Sequence, residues 1–261
     1  MVFGKWRRSR VAARRGAKGY RAYAIGDVHG RLDLLDGLLA QIEQDHAARP
    51  VAAEPLLVFL GDLIDRGPDS RGVLERIMGG PLSGFRTIAL CGNHEEVLLR
   101  LLEGERGLLE RWLYFGGDSC VRSYGGNAAE LRSLPEDQAL RRLRELVPAA
   151  HWHFIADMAD TFRFGDYLFV HAGIRPGIKI GDQTPRDLRW IREEFLSDSR
   201  DHGMVVVHGH TISETVEQRP NRIGVDTGAY HSGVLSALGV DAEGHWLLQQ
   251  AGPGELTRVP Q

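Results

Sequence analysis

Residues 56–68 read Leu-Leu-Val-Phe-Leu-Gly-Asp-Leu-Ile-Asp-Arg-Gly-Pro. The apolar run Leu56 to Leu60 predicts a short buried strand that feeds directly into a loop carrying Asp62, Asp65 and Arg66. Gly61 lets the chain turn where a side chain would crowd the loop. A rigid strand ending in carboxylates is a way to hold a metal ion firmly. Two neighbouring stretches repeat the pattern. Tyr23-Ala-Ile-Gly-Asp27-Val-His29-Gly30 precedes it, and Thr87-Ile-Ala-Leu-Cys-Gly-Asn93-His94-Glu95 follows it.

Around these stretches the chain alternates strand and helix signals. A strand over 21–25 is followed by helical spacing of Leu34, Leu35, Leu38, Leu39 and Ile42, which predicts a helix over 31–45. The strand at 56–60 precedes a helix over 70–78 and a strand over 86–90. This rhythm predicts a mostly parallel, helix-covered sheet with ligands at the carboxyl ends of its strands. Over 95–162 the strand signals vanish. Helices are expected at 95–102, 108–115, 137–146 and 150–158, with Gly116 to Gly126 as a glycine-bounded loop. The segment reads as a helical cap inserted in the middle third. Strands return at 166–170 and 204–207, then at 222–226, 233–239 and 245–249.

The 261 residues suffice for one large domain, expected over 21–261. The composition, 43% hydrophobic and 26% charged, is that of an ordinary globular protein, and a net charge of −3 gives no overall bias toward nucleic acid. Residues 1–21 hold eight Lys or Arg and no acid. A nucleic-acid arm is the sharp reading. A flexible, solvated leader over 1–20 is preferred, because few aromatics interleave the charges. No apolar run approaches the roughly 20 residues of a membrane span, and the basic start lacks the apolar core of a signal peptide. Cys91 and Cys120 form neither a disulfide framework nor a zinc spacing. They read as reduced thiols of a cytoplasmic protein. The sequence carries no signal for an oligomeric state.

Asp27, His29, Asp62, Asn93, His171 and His210 each follow an apolar strand within a few residues. Singly, each is an ordinary turn residue. Together they are a set of oxygen and nitrogen ligands without sulfur, which suits manganese, iron or zinc. The set is too large for one ordinary site and fits two metals sharing one carboxylate. Such pairs serve phosphate-ester hydrolysis. Arginine matches the phosphoryl oxygens with its planar fork, and histidine can protonate a leaving group. Arg66 and His94 lie beside the expected ligands, and Asp65 is placed to orient His94. Glu95 and Glu96 read as acids opening a helix. Trp112, Trp152, Trp190 and Trp246 read as core or cap fillers.

The segments Gly26-Asp-Val-His-Gly30, Gly61-Asp-Leu-Ile-Asp-Arg-Gly67, Gly92-Asn-His-Glu95, His171-Ala-Gly173 and Gly209-His210 resemble the motif set of the calcineurin-like metallophosphoesterases. More narrowly, they resemble the phosphoprotein phosphatase branch in its small bacterial or phage lambda form. The resemblance runs from residue 23 to about 238. It implies an α/β fold, a β-sandwich flanked by helices and topped by the cap. It implies that Asp27 and His29 bind a first divalent metal, that Asp62 bridges, and that Asn93, His171 and His210 bind a second. Manganese is the expected metal, with iron or zinc as alternatives. His94 becomes the general acid, paired with Asp65. Arg66 holds the phosphoryl group, aided by Arg192, for which Arg189 and Arg175 are nearby competitors. His208 is expected to pack nearby and Asp226 to support the site from behind. Hydrolysis then proceeds through a bridging hydroxide with no phosphoenzyme.

The implied substrate is a phosphorylated protein or small phosphoester, and the implied activity that of a serine/threonine-type phosphatase. A symmetrical dinucleoside polyphosphate hydrolase is the first rival. The forms Ile64-Asp65-Arg66-Gly67 and Asn93-His94-Glu95 favour the phosphatase. A non-catalytic metal-binding scaffold, or a nucleic-acid partner using the basic arm, is the second. The intact ligand set and His94 weigh against it.

Overall fold

The computed structural model describes residues 14–49 and 53–252. Most of the basic leader, residues 1–13, lies outside them. The first third forms β1 (Tyr20–Ile25), α1 (Leu32–Ala48), β2 (Glu54–Phe59), α2 (Ser70–Met78) and β3 (Arg86–Ala89). The α1 stripe anticipated from spacing is buried at all five of its apolar positions. Asp69 caps α2 by accepting the Gly72 N–H, which fixes where the metal-loop segment ends and the helix begins.

The middle third is helical: α3 (Asn93–Leu102), α4 (Leu109–Trp112), α5 (Asp118–Ser123), α6 (Ala128–Ser133), α7 (Glu136–Leu146) and α8 (Ala149–Ala156). A π-helical turn, Leu113–Gly117, joins α4 to α5. Gly116 to Gly126 is therefore not the loop its glycines suggested. The glycines bracket α5, whose Cys120 and Val121 are buried, and Gly125 follows that helix in the left-handed conformation with φ 80°.

The last third holds β4 (Thr161–Phe164), β5 (Tyr167–Val170), α9 (Pro185–Trp190), α10 (Glu193–Leu196), β6 (Val205–His208), β7 (Glu217–Gln218), β8 (Arg222–Gly224), α11 (Ala229–Ser232), β9 (Val234–Asp241) and β10 (Gly244–Ala251). β4 begins inside the segment expected to be all cap. Its partner is β5, through an antiparallel hairpin.

The strands form two mixed sheets in the orders β10-β9-β1-β2-β3 and β4-β5-β6-β8-β7. This replaces the single mostly parallel sheet that the alternation alone suggests, and agrees with the sandwich implied by the motifs. β1, β2 and β3 are parallel to one another, as are β5, β6 and β8. β9 and β10 add antiparallel strands to the first sheet.

The period-2 alternation of strands sorts the layers. Ala22, Ala24, Leu56 and Val58 meet Tyr167, Phe169, Val205 and Val207 between the sheets. The alternate residues Tyr23, Ile25, Leu57 and Phe59 face α1, α2 and the cap helices. On the other outer face Leu168, Val170 and Val206 pack with Leu188 of α9 and Phe195 of α10. Arg14 ion-pairs with Asp201, the Arg15 N–H bonds to Asp166, and the Gly16 N–H bonds to the Asp241 carbonyl at the end of β9, so the chain passes from the second sheet to the first as it enters β1. Among the described residues, no helix is long and apolar enough to cross a membrane. With β1, β2 and β3 parallel in one sheet and β5, β6 and β8 parallel in the other, the segments after their carboxyl ends can converge on one site.

Candidate metal centre

The site grows out of these strand ends. Asp27 and His29 follow β1, Asp62 follows β2, Asn93 and His94 open α3 after β3, His171 follows β5 and His210 follows β6. All seven are buried. Asp62 sits between two groups. Its Oδ2 lies 3.6 Å from Nε2 of His29, and its Oδ1 lies 3.4 Å from Nε2 of His171. His29, Asp62 and His94 bring ligand atoms within 4.8 Å of one another, and so do Asp62, His171 and His210. Asn93 Oδ1 is 3.0 Å from His171 Nε2. Asp27 joins the group through its Oδ2, which accepts the His210 backbone N–H at 2.9 Å.

Backbone geometry marks the same place. Among the described residues, the non-glycine positions with positive φ are His29, Asp62, Asp65, Arg66 and His210. Left-handed backbone at a residue with a Cβ costs on the order of 1–2 kcal/mol. It persists where surrounding contacts over-determine it, which is characteristic of functional sites.

The contacts are specific. The Nδ1 atoms of His29 and His171 lie 2.7 Å from the Ile64 carbonyl and 2.8 Å from the Leu60 carbonyl. An Nδ1–H donating to each carbonyl leaves Nε2 with its lone pair facing Asp62. Burial keeps these imidazoles neutral, lowering His29 to about 3 and His210 to about 2. Burial works against charge on Asp62, but its electrostatic coupling to the surrounding rings, of which His94 is the one raised above its ordinary value, holds its carboxyl below the usual range. Asp27 moves the other way, raised by burial and by the nearby Asp226 and Asp62 carboxyls.

The residues present fit divalent metal ions. Asp27 Oδ1 and His210 Nε2 are buried without a hydrogen-bonding partner, although buried polar groups are normally satisfied. Each belongs to the ligand set. A pair of cations, one at each atom, would satisfy them and relieve the crowding of carboxyls.

A second cluster lies beside the first. His94 Nδ1 is 2.6 Å from Asp65 Oδ2, and Nε2 of the same ring is 3.2 Å from the Arg66 guanidinium. Burial disfavours the charged imidazole, but Asp62 and the Asp65 hydrogen bond together raise His94 above its ordinary value. Arg192 bonds Thr211, next to His210, at 3.3 Å. Its competitors are engaged elsewhere: Arg189 with Asp160 and Glu96, Arg175 with Asp187 and Glu194.

The sequence of residues 20–246 matches the family model of the calcineurin-like phosphoesterases. The chain belongs to that family. A serine/threonine-protein phosphatase 1 from Salmonella typhimurium is 33% identical over 230 residues, 84% of this chain and 92% of the relative. An asymmetrical bis(5'-nucleosyl)-tetraphosphatase, PrpE, from Halalkalibacterium halodurans is 26% identical over 232 residues, 82% of this chain and 87% of the relative. The fold matches a solved cold-active protein tyrosine phosphatase with a TM-score of 0.59 at 18% identity, over 91% of this chain and 77% of that one. Family membership carries divalent metal ions and phosphoester hydrolysis with it.

Three contacts of this phosphoesterase escape a reading of the sequence. Glu95 is not simply a helix-opening acid. Fully buried, it accepts the backbone N–H groups of Asp62, Leu63, Ile64 and Gly92 at 2.8–3.3 Å. Burial raises its carboxyl to about 7. Trp112 is not only a filler, because its indole N–H donates to Asp65 Oδ2 at 2.9 Å. Tyr230 lies edge-on to His29 and beneath the Arg66 guanidinium. Conversely, Trp190 is no core residue. It is 37% exposed and donates to Glu96. His208 packs edge-on against Phe195, and Asp226 accepts the Gly228 N–H behind Asp27. Capping by residue type points to Glu95 at the N-terminus of α3, but no sequence signal gives its reach to the β2 loop.

Glu95→Ala would leave several buried N–H groups unpaired, at roughly 1–3 kcal/mol each. Thermal unfolding of the variant is expected at a markedly lower temperature, with metal content reduced. An unchanged melting temperature would show that the Asp62 loop does not depend on Glu95.

Proposed function

We propose that this phosphoesterase is a metal-dependent protein phosphatase of the serine/threonine type. The observation that carries the reading is the His94–Asp65 pair. A phosphoserine or phosphothreonine ester departs as an alkoxide, which needs a proton from a general acid. Cleavage within a polyphosphate releases a stable phosphate anion, which does not. A carboxylate-backed imidazole beside the metal ligands therefore suits esters. An open cleft of about 730 Å³, lined in part by Arg31, Arg66, Pro68 and Tyr230, adjoins it and offers room for a peptide segment.

Asp27, His29 and Asp62 would hold one divalent ion, and Asp62, Asn93, His171 and His210 the other. Manganese is the proposed occupant, with iron and zinc as the alternatives. Bound there, the ions supply a hydroxide near neutral pH and neutralise phosphoryl charge. Arg66 and Arg192 grip the phosphoryl oxygens with their planar forks. Asp65 fixes the His94 ring so that Nε2 delivers its proton to the departing oxygen. The two buried cysteines suit a reducing, cytoplasmic setting.

A second reading, dinucleoside polyphosphate hydrolysis, is favoured by the relatives named as tetraphosphatases and by Tyr230, an aromatic face at the cleft on which a base could stack. The two readings separate in one comparison. Metal-stripped protein reloaded with Mn²⁺ is expected to show a higher kcat/KM for phosphoserine or phosphothreonine peptides than for diadenosine tetraphosphate. Preference for the dinucleotide would overturn the phosphatase reading and leave the metal centre standing.

His94→Asn is expected to keep the metals and lower turnover of phosphopeptides by roughly 10²–10⁴-fold, the contribution of a general acid. Turnover of p-nitrophenyl phosphate, whose leaving group hardly needs a proton, should fall much less. A full-rate variant would remove His94 from the mechanism.

A further inference from the structure

The cap turn after α4 touches two consecutive residues of the site, and it touches them from its two ends. Asp65 and Arg66 both adopt left-handed backbone, with φ 71° and 65°. Neither is glycine, so something must hold them there. At the start of the turn, the Trp112 indole N–H donates to Asp65 Oδ2 at 2.9 Å, the oxygen that also meets His94 Nδ1 at 2.6 Å. At its end, the Gly116 carbonyl accepts the Arg66 backbone N–H at 3.0 Å.

The local sequence Trp-Leu-Tyr-Phe-Gly-Gly explains how one turn does both. Residues 113–117 form a π-helical turn, and such turns often mark functional sites. Gly116 has φ 117°, and a Cβ there would lie 2.6 Å from Arg66 Cγ and 2.7 Å from its backbone nitrogen. A Cβ on Gly117 would lie 2.3 Å from the Trp112 ring. One glycine makes room for the arginine and the other for the indole. Trp112 is 3% exposed, so its N–H has no solvent to turn to.

We infer that the Trp112–Gly117 turn is a positioning clamp by which the cap sets both halves of the phosphoryl-transfer machinery. Trp112 fixes the Asp65 carboxylate and through it the ring plane of His94. Gly116 fixes the Arg66 backbone and through it the guanidinium. Both are positioning residues, since neither reaches the reacting atoms. The inference rests on the roles proposed above for His94 and Arg66.

The test uses Mn²⁺-loaded full-length protein and a series of aryl phosphates graded by leaving-group basicity. Wild type is expected to show a shallow dependence on the leaving group. Trp112→Phe keeps the ring and removes the N–H. It is expected to lower kcat roughly tenfold for the most basic leaving groups, part of the 10²–10⁴ that a general acid supplies. KM, and turnover of p-nitrophenyl phosphate, should hold within about twofold, because the loss is confined to proton delivery. Gly116→Ala is expected to weaken competitive inhibition by inorganic phosphate about tenfold, the signature of a displaced arginine fork.

A Trp112→Phe variant that slows every aryl phosphate equally, or none, would overturn the clamp and leave Trp112 a packing residue. If Gly116→Ala does not fold, Trp112→Phe alone decides. A wild type already steep in leaving-group basicity would overturn the clamp together with the acid role of His94. The aryl series does not depend on the physiological substrate. A wild type inactive on phosphopeptides, with the expected aryl pattern in Trp112→Phe, would defeat the substrate reading and leave the clamp intact.

Discussion

The structure depends on the hold that Glu95 has on the loop after β2. A carboxylate buried at the start of α3 gathers the N–H groups of Asp62, Leu63, Ile64 and Gly92. Hydrogen bonds of this kind contribute roughly 0.5–1.5 kcal/mol each, and there are four of them. That is enough to offset the strain of Asp62, a residue with a Cβ at φ 49°. Asp62 is thereby aimed so that one oxygen faces His29 and the other His171. The His94 N–H, in the first turn of α3, adds a bond to Asp62 Oδ1 at 3.1 Å, so the positive end of that helix also faces the carboxylate.

Around that point the fold sets the electrostatics. The parallel strands of both sheets deliver imidazoles and carboxyls to one buried place, where each is costly alone. The Ile64 and Leu60 carbonyls fix the tautomers of His29 and His171. The same depth that keeps these rings neutral raises Asp27, Glu95 and Asp226. A site so arranged is better balanced with cations in it than without. Rigidity at the strand ends and charge frustration between them are two sides of one design, and they explain why strained backbone collects here.

The sequence carried the centre more fully than the frame. Asp27, His29, Asp62, Asn93, His171 and His210 were legible because each follows an apolar run, and a sheet places such positions together. His94, Asp65 and Arg66 were legible because they neighbour those ligands in the chain. Other features depend on distance that a linear reading does not measure. Trp112 reaches Asp65 across 47 positions, and nothing in Trp-Leu-Tyr-Phe-Gly-Gly names its partner. Glu95 sits where any helix-opening acid would, so its bonds to the β2 loop were hidden behind an ordinary explanation. Nothing in the linear sequence favours Arg192 over Arg189 and Arg175 for the role proposed for it; the ion pairs of the other two do. The glycines around α5 looked like loop punctuation, whereas tertiary packing of Cys120 and Val121 holds the short helix. β4 is only four residues long, Thr-Phe-Arg-Phe, and becomes a strand by pairing with β5.

The central claim is that Asp62 is shared between two metal ions. The most direct test is metal content per chain, measured by elemental analysis after saturation with Mn²⁺ and gel filtration, for wild type and for Asp62→Asn. The account predicts two ions per chain in the wild type and loss from both positions in the variant, because a neutral amide cannot bridge two cations as a carboxylate does. A variant that kept both ions, or a wild type that saturated at one, would contradict it.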